Sequence, residues 1–221
     1  MAPSPDQQPD TGRRAECSHC LRAQSACICH WIVPVRSQTE VLILQHPMET
    51  RHAKGSARLL HLSLTGSQLA VGESFSEEQL HALLHDPFPN AEPDVASSHP
   101  CRRHTLLLYP DTAGQASGSS HRTEVVSDNA VGLRLVVLDG TWRKSRKMLY
   151  LNPMLQALPR LALKAAAPSQ YRIRKAHLPN QLSTLEATCH ALAELEQNST
   201  RYAPLLQAFD GFVAEQLLYR E

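Results

Sequence analysis

A short stretch in the second half of the chain combines side chains that could take part in catalysis or binding. The apolar run 135–138 ends on Asp139, and Gly140, Thr141 and Trp142 follow it directly. A carboxylate can accept a proton from a ring nitrogen, and an indole can stack on a base. If the apolar run is a strand of a parallel sheet, the carboxylate lies at the edge where α/β proteins bind ligands. We therefore interpret Asp139 and Trp142 as candidate catalytic residues.

Each of these residues also has an ordinary structural interpretation. Asp139 can be a turn carboxylate that caps the following helix, although Thr141 suits the same role. Trp142 can be an aromatic residue of the core. The functional interpretation gains because a carboxylate, an indole and several cations are adjacent, and a nucleotide in RNA requires groups of all three kinds.

Positive charge follows this stretch. Between residues 140 and 185 the chain has nine lysines and arginines and no acid, whereas residues 73–94 have six acids and no lysine or arginine. The formal net charge is only +1, so the basic block indicates a local anionic partner. The alternative is a solvated helix face whose charge is compensated in three dimensions. The candidate RNA-binding residues are Arg143, Lys144, Arg146, Lys147 and Lys175.

Four of the six cysteines lie close together near the start of the chain. They are Cys17, Cys20, Cys27 and Cys29. The segment 15–33 has no hydrophobic core of its own, and a tetrahedral ion that binds four thiolates would order it. Ligand type and spacing favour structural zinc over an iron–sulfur site or free thiols, and His19 or His30 could replace one sulfur.

The N-terminal residues 1–14 are polar and proline-rich, and we expect them to be disordered. They contain no apolar signal segment, and no apolar stretch of the chain reaches membrane-spanning length. We therefore expect a cytoplasmic protein that does not associate with membranes, in which cysteines serve as thiols or metal ligands.

Short apolar runs alternate with amphipathic segments along residues 34–221, which we expect to form one catalytic domain. The predicted strands are 41–44, 68–72, 105–110, 134–139 and a short run within 155–163. The predicted helices begin near Ala57, Ser76, Trp142, Leu182 and Pro204. This alternation predicts an α/β fold with a largely parallel sheet and flanking helices.

Three common catalytic motifs are absent from the sequence: G-x-G-x-x-G, G-x4-G-K-[ST] and G-x-S-x-G. The loop after the first predicted strand carries Gln45, His46 and Glu49, whose polar side chains could line a substrate pocket. With His52, this loop has some likeness to a metal-binding cluster. Pro47 and the lack of histidines spaced at i, i+4 argue against that interpretation.

Five features in order make the chain similar to the DTW-domain family. They are the cysteine pattern, Gln45-His46-Pro47-x-Glu49, the helix at 57–60, the D-x-T-W signature at 139–142, and the segment 171–175 with 183–187. The family resembles tRNA-uridine aminocarboxypropyltransferases. The resemblance implies transfer of the 3-amino-3-carboxypropyl group of S-adenosylmethionine to N3 of a uridine in tRNA, in the variable loop, with release of methylthioadenosine. It also implies a SPOUT-like fold with a C-terminal trefoil knot that holds the cofactor.

The resemblance further implies roles for individual residues. Asp139 would take the proton from uridine N3, and Trp142 would stack on the uracil or border the cofactor. One of Arg172 and Arg174 would pair with the cofactor carboxylate. The implied cofactor-binding residues are Leu138, Asp139, Gly140, Thr141, Arg172, Arg174, Pro179, Leu182 and Ser183. No stable protein partner is implied, and the alternatives are an S-adenosylmethionine-dependent RNA methyltransferase or a non-catalytic RNA-binding module.

Overall fold

The computed structural model describes residues 15–52, 55–89, 104–110, 132–163 and 182–218 of the 221-residue chain. The predicted N-terminal tail and the C-terminal knot lie outside these residues. Four predicted site residues also lie outside them: Arg172, Arg174, Lys175 and Pro179.

A five-stranded sheet forms the centre of the described structure, in the order β2-β1-β4-β3-β5. The strands are β1 (Glu40–Gln45), β2 (Ser67–Val71), β3 (His104–Leu108), β4 (Leu133–Asp139) and β5 (Arg160–Leu161). Every neighbouring pair is parallel. The predicted α/β class with a largely parallel sheet is therefore confirmed. A parallel sheet is buried on both faces, which explains why β1 and β4 are almost continuously apolar.

Six α-helices are described in these parts of the chain. They are α1 (Ala57–Ser63), α2 (Glu77–His85), α3 (Trp142–Leu151), α4 (Pro153–Gln156), α5 (Thr184–Leu195) and α6 (Ala203–Leu218). Two of them begin with a reciprocal capping box, formed by Ser76 with Gln79 and by Ser183 with Glu186. Such caps satisfy backbone N–H groups that have no partner inside the helix. None of the described helices is long and apolar enough to cross a bilayer.

Alternate residues of the central strands enter two separate hydrophobic cores. Val41 and Ile43 of β1 pack with α1, α5 and α6 on one face of the sheet. Leu42 and Leu44 pack with α2, α3 and α4 on the other face. All four side chains are fully buried, and each contributes about 1.5–3 kcal/mol relative to exposure. The molecule therefore has three layers, with the sheet in the middle.

Strand β4 carries a fully buried arginine near its start. The guanidinium of Arg134 donates to Glu40 Oε2 at 2.9 and 2.6 Å. It also donates to the carbonyl groups of Leu83 and Asp86, at the end of α2. These acceptors make burial of the charge possible, and they tie α2 to the sheet that positions the site.

Candidate functional site

The carboxyl edge of the sheet has a switch point between β1 and β4. The two strands are neighbours, but the helices that follow them, α1 and α3, lie on opposite faces. Open α/β sheets bind ligands at the point where the chain leaves two neighbouring strands in opposite directions, and we call this place, around Asp139, the crevice. Gln45 and Asp139 end these strands and are register partners.

Asp139 is 6% exposed and is held from two sides. Gln45 Nε2 donates to Asp139 Oδ2 at 2.9 Å, and Thr184 Oγ1 donates to Oδ1 at 2.7 Å. The backbone N–H of His46 donates to the Asp139 carbonyl oxygen at 2.9 Å. These contacts bring the ends of β1 and β4 together with the start of α5. They hold the carboxylate in one orientation.

Thr141, and not Asp139, caps helix α3. Its hydroxyl accepts a hydrogen bond from the backbone N–H of Lys144 at 3.4 Å. The interpretation of Asp139 as a helix cap is therefore wrong. Gly140, between the two residues, lies against the loop after β1, since an added Cβ would stand 3.6 Å from His46 Cβ.

Two lysines of the predicted RNA-binding set form ion pairs with glutamates of the same chain. Lys144 Nζ lies 2.8 Å from Oε1 of the buried Glu49. Lys147 Nζ lies 2.8 Å from Glu73 Oε2. For these two residues the alternative of charge compensation in three dimensions therefore describes the structure.

His46 belongs to the same network. Its Nδ1 accepts the backbone N–H of Met48, so its Nε2 carries the proton and donates to Glu73 Oε1 at 2.8 Å. Hydrogen bonds from Lys147 and then from His46 lower the pKa of Glu73. The loop after β1 is thus fixed to the segment after β2 and to α3.

Trp142 is 53% exposed, so its interpretation as a core residue is wrong. Its ring meets Tyr109 edge to face, with the centroids 5.8 Å apart at 76°. The guanidinium of Arg160 lies 5.4 Å from the Tyr109 ring centroid. Burial raises the pKa of Tyr109. Trp142 therefore presents an open indole surface beside the carboxyl edge, three residues after Asp139.

The four clustered cysteines converge on one point. Cys17 Sγ and Cys29 Sγ are 3.6 Å apart, Cys20 Sγ and Cys27 Sγ are 3.8 Å apart, and all four atoms lie within 4.8 Å of one another. A tetrahedral ion with Zn–S bonds of about 2.3 Å requires sulfur atoms about 3.8 Å apart. All four are free thiols, so the donor set fits a tetrahedral metal ion.

At Cys17 the local backbone geometry favours the ionised thiol that a metal requires, whereas burial raises the pKa of Cys29 to about 12. The backbone N–H groups of Cys20 and His19 lower the pKa of Cys17 to about 6. His30 is engaged elsewhere, with its Nε2 3.0 Å from Glu215 Oε2. Among the described residues, the four cysteines are the one group of His, Cys, Asp and Glu that could hold a metal ion. The loop with His52 is therefore not such a group.

The cysteine-rich segment is packed firmly on α6. The Trp31 ring covers Gly211, where an added Cβ would stand 2.2 Å from the indole. Trp31 Nε1 donates to Glu215, the same carboxylate that His30 reaches. Ile28 is 1% exposed and belongs to the core formed by α1, α5 and α6. The segment and the sheet therefore share one hydrophobic core.

The DTW domain family model matches residues 14–217. The chain belongs to the DTW domain family. This membership confirms the resemblance inferred from the five motifs, and it covers both the cysteine cluster and the crevice.

Several curated proteins are similar to this DTW-domain chain. Proteins named tRNA-uridine aminocarboxypropyltransferase 2 from Macaca fascicularis and Mus musculus are each 30% identical over 211 residues, covering 93% of this chain and 64% of each relative. The Drosophila melanogaster protein of the same name is 31% identical over 188 residues, covering 83% of this chain and 68% of the relative. The chain thus spans just under two thirds of the length of the first two relatives. No solved structure matches the chain significantly.

Two residues of the DTW crevice were not predicted from the sequence. Thr184 is 45 residues from Asp139 and belongs to a capping sequence, so its hydroxyl gave no separate signal. Glu73 follows β2 by two residues. The general expectation that residues after parallel strands gather at one edge could have found it.

The structure also bears on the remaining predicted cofactor-binding residues of the DTW domain. Ser183 and Leu182 lie at the start of α5, next to the Asp139 partner Thr184. All three polar groups of Ser183 are used locally: its N–H and hydroxyl bond to Glu186, and its carbonyl accepts from Ala187 N. Ser183 therefore stabilises the start of α5. Leu138, another predicted cofactor-binding residue, is the one partly exposed residue of β4.

Proposed function

We propose that this DTW-domain protein transfers the 3-amino-3-carboxypropyl group of S-adenosylmethionine to N3 of a uridine in tRNA. The observation that carries the proposal is the buried Asp139, held by Gln45 and Thr184 at the switch point of the sheet. The names of the relatives support the same reaction. A SPOUT-like fold with a C-terminal knot that holds the cofactor is part of the proposal.

The reaction joins uridine N3 to the γ-carbon of the methionyl chain and breaks the bond between that carbon and sulfur. N3 loses a proton, and methylthioadenosine leaves. S-adenosylmethionine supplies an activated γ-carbon, and it also has an activated methyl group. Only the orientation of the bound donor selects between the two carbons, so the residues around the crevice must fix that orientation.

Asp139 is the proposed general base. Its carboxylate would accept the N3–H of the uridine, which requires an approach of about 2.6–3.2 Å between heavy atoms. Gln45 and Thr184 act as positioning residues, because each fixes one carboxylate oxygen. The sequence indicated Asp139 as the base without reference to either residue. Together, the two residues fix the orientation of its carboxylate.

The proposed donor site fits the two segments that meet at Asp139. The hydrogen bond between Thr184 and Asp139 brings the start of α5 against the residues 138–141. We propose that Leu138, Gly140, Thr141 and Leu182 line this site, while the proposed carboxylate partners Arg172 and Arg174 lie outside the described residues, as does Pro179. The four cysteines would hold zinc as a structural ion, which supplies order to the segment 15–33.

Trp142 is proposed to receive the uracil. Its exposed ring beside the edge offers a surface on which a base can stack. A uridine in a folded tRNA, here in the variable loop, must be turned out of its stack before N3 can reach a buried carboxylate. Gln45 and His46 would form the polar floor of the substrate pocket, with Glu49 beneath them.

The test is a transfer assay with purified protein, tRNA and S-adenosylmethionine. We expect methylthioadenosine and a uridine whose added mass equals that of the aminocarboxypropyl group. An added methyl mass would instead indicate a methyltransferase, and no product would indicate an RNA-binding module. Both results contradict the proposal.

The role of Asp139 is tested with the isosteric variant Asp139→Asn. We expect transfer to be abolished while tRNA binding stays within a few-fold of the wild type, because the amide cannot accept the N3 proton as a base. Asp210→Asn, at an exposed position on α6, is the matched control and should retain full transfer. Substantial turnover by Asp139→Asn would contradict the assignment of the base.

A further inference from the structure

Helix α3 has an outer face that carries aromatic and cationic side chains together. Trp142, Arg146 and Tyr150 are spaced four residues apart, so they lie along one side of the helix. Tyr150 is 78% exposed, Trp142 is 53% exposed, and Arg146 is also exposed. Arg143, exposed as well, lies beside this row. We call these four residues the outer face of α3.

The two lysines of the same helix form ion pairs with glutamates. Lys144 and Lys147 pair with Glu49 and Glu73, at the loops that follow β1 and β2. Neither Arg143 nor Arg146 makes an ion pair with any residue of the described ranges. The basic segment thus contains two lysines that pair with acids beside the crevice, although Lys147 is itself exposed, and two exposed arginines that make no such pair among the described residues.

We propose that the outer face of α3 binds unpaired nucleotides of the RNA next to the reacting uridine. Tyr150 stacks on one base, and Arg143 and Arg146 contact phosphates or stack on neighbouring bases. This inference rests on the proposed function, because it takes tRNA as the substrate. It adds a second stacking position, and it assigns the RNA contacts of the helix to the arginines.

The chemistry of the face favours RNA over a protein partner. Helix α3 contains no acid, and a guanidinium separates the two aromatic rings. A protein groove that binds a helix contacts a continuous apolar stripe on that helix. A surface that binds single-stranded RNA instead has aromatic rings that stack on bases and cations that contact phosphates. Phosphates match the two arginines in charge.

The spacing along the helix indicates more than one nucleotide. Tyr150 follows Trp142 by eight positions, which corresponds to about 12 Å along an α-helix. Successive stacked nucleotides rise by only about 3.4 Å along one strand. The two rings therefore contact different nucleotides, and Tyr150 contacts one that is not modified.

The experiment measures tRNA dissociation constants and transfer rates for substitutions at Tyr150. We expect Tyr150→Ala to weaken tRNA binding on the order of tenfold, because an aromatic ring stacked on a base is lost. Tyr150→Trp should bind as the wild type does. Tyr150→Leu should resemble the alanine variant, since leucine is apolar but has no π-face. Wild-type affinity of Tyr150→Leu for tRNA would contradict the proposal that Tyr150 stacks on a base.

Arg146→Ala tests the charged part of the face. We expect weaker binding and a slope of log affinity against log salt that is reduced by about one. Two exposed residues outside α3 serve as controls, Leu218→Ala for the tyrosine and Arg36→Ala for the arginine. Neither control should change binding or transfer.

The outcomes separate this inference from the proposed function. If the wild type transfers the group and Tyr150→Ala binds tRNA normally, the inference about the outer face is overturned and the function stands. If the wild type binds tRNA through Tyr150 but transfers nothing, the proposed function is overturned and the binding face stands. Circular dichroism of each variant checks that the fold is intact.

Discussion

The cysteine cluster and the Asp139 crevice both gather polar atoms at one point, but they are completed differently. The four sulfurs come from thirteen consecutive residues, and they face one another at tetrahedral spacing. Asp139 instead receives its partners from residues 94 and 45 positions away. The crevice closes through hydrogen bonds within the protein, whereas the four thiols are arranged as the ligands of a metal ion would be.

The two regions should therefore differ in what they need to become ordered. The crevice exists once the sheet and α5 have packed, because its partners are carried on strands and a helix. The cysteine-rich segment contributes Ile28 to the core but contains little regular structure of its own. Its order should depend on metal and on docking to α6, and the following changes test that contrast in order of expected effect.

Removal of the metal should have the largest effect. We expect Cys20→Ser, or treatment with a strong chelator, to release a stoichiometric ion and to lower the free energy of unfolding by more than about 4 kcal/mol, since structural zinc binding contributes directly to folding. Elemental analysis and thermal unfolding measure the two quantities. Cys189→Ser, outside the cluster, should keep the metal. Wild-type protein purified without zinc or iron would contradict the metal site.

Gly211→Ala tests the docking of the segment on α6. Alanine normally stabilises a helix interior by up to about 1 kcal/mol over glycine, but here the new methyl group would overlap the Trp31 ring. Because overpacking costs about 1–3 kcal/mol, we expect a net loss of stability in denaturant unfolding. In a Trp31→Ala background the same substitution should become stabilising. A stabilising effect in the wild type would show that the contact does not constrain α6.

Thr184→Val should affect the crevice without affecting the metal. The substitution keeps the shape of the side chain but removes the donor to Asp139 Oδ1, so we expect a loss of about 1–1.5 kcal/mol. Transfer should fall at least tenfold, with tRNA binding little changed, while Thr184→Ser keeps most activity. Equal transfer by the valine and serine variants would contradict the positioning role.

The smallest effect is expected at Glu73 and should depend on pH. Because Lys147 and His46 lower the pKa of Glu73, its ionised form is favoured in the folded protein. The resulting stability is present above the ordinary pKa of a glutamate and is lost as the pH falls through the lowered value. Glu73→Gln should therefore flatten the acid side of the curve of stability against pH. Lys147→Met should change the curve in the same direction, and an unchanged curve in both would contradict the pairing.

Much of the fold was predictable because its signals are local. The apolar runs of β1 and β4 indicated buried parallel strands, and Ser76 and Ser183 indicated helix starts that the structure has. The short α4 was not predicted, since one helical turn that begins at Pro153 has little periodicity. The sequence did not predict whether Trp142 is buried or exposed, because an indole before a basic helix suits either the core or the surface.

The sequence by itself determined the class of the fold, the spacing of the cysteines and the position of a carboxylate at the end of a strand. These depend on hydrophobic periodicity and on short ligand spacing, which act within a few residues. The tertiary structure alone decided that Thr184 and Gln45 hold Asp139, and that Lys144 and Lys147 pair with Glu49 and Glu73. Such pairings depend on which strand ends and helix starts meet, and that is set by packing across the whole sheet.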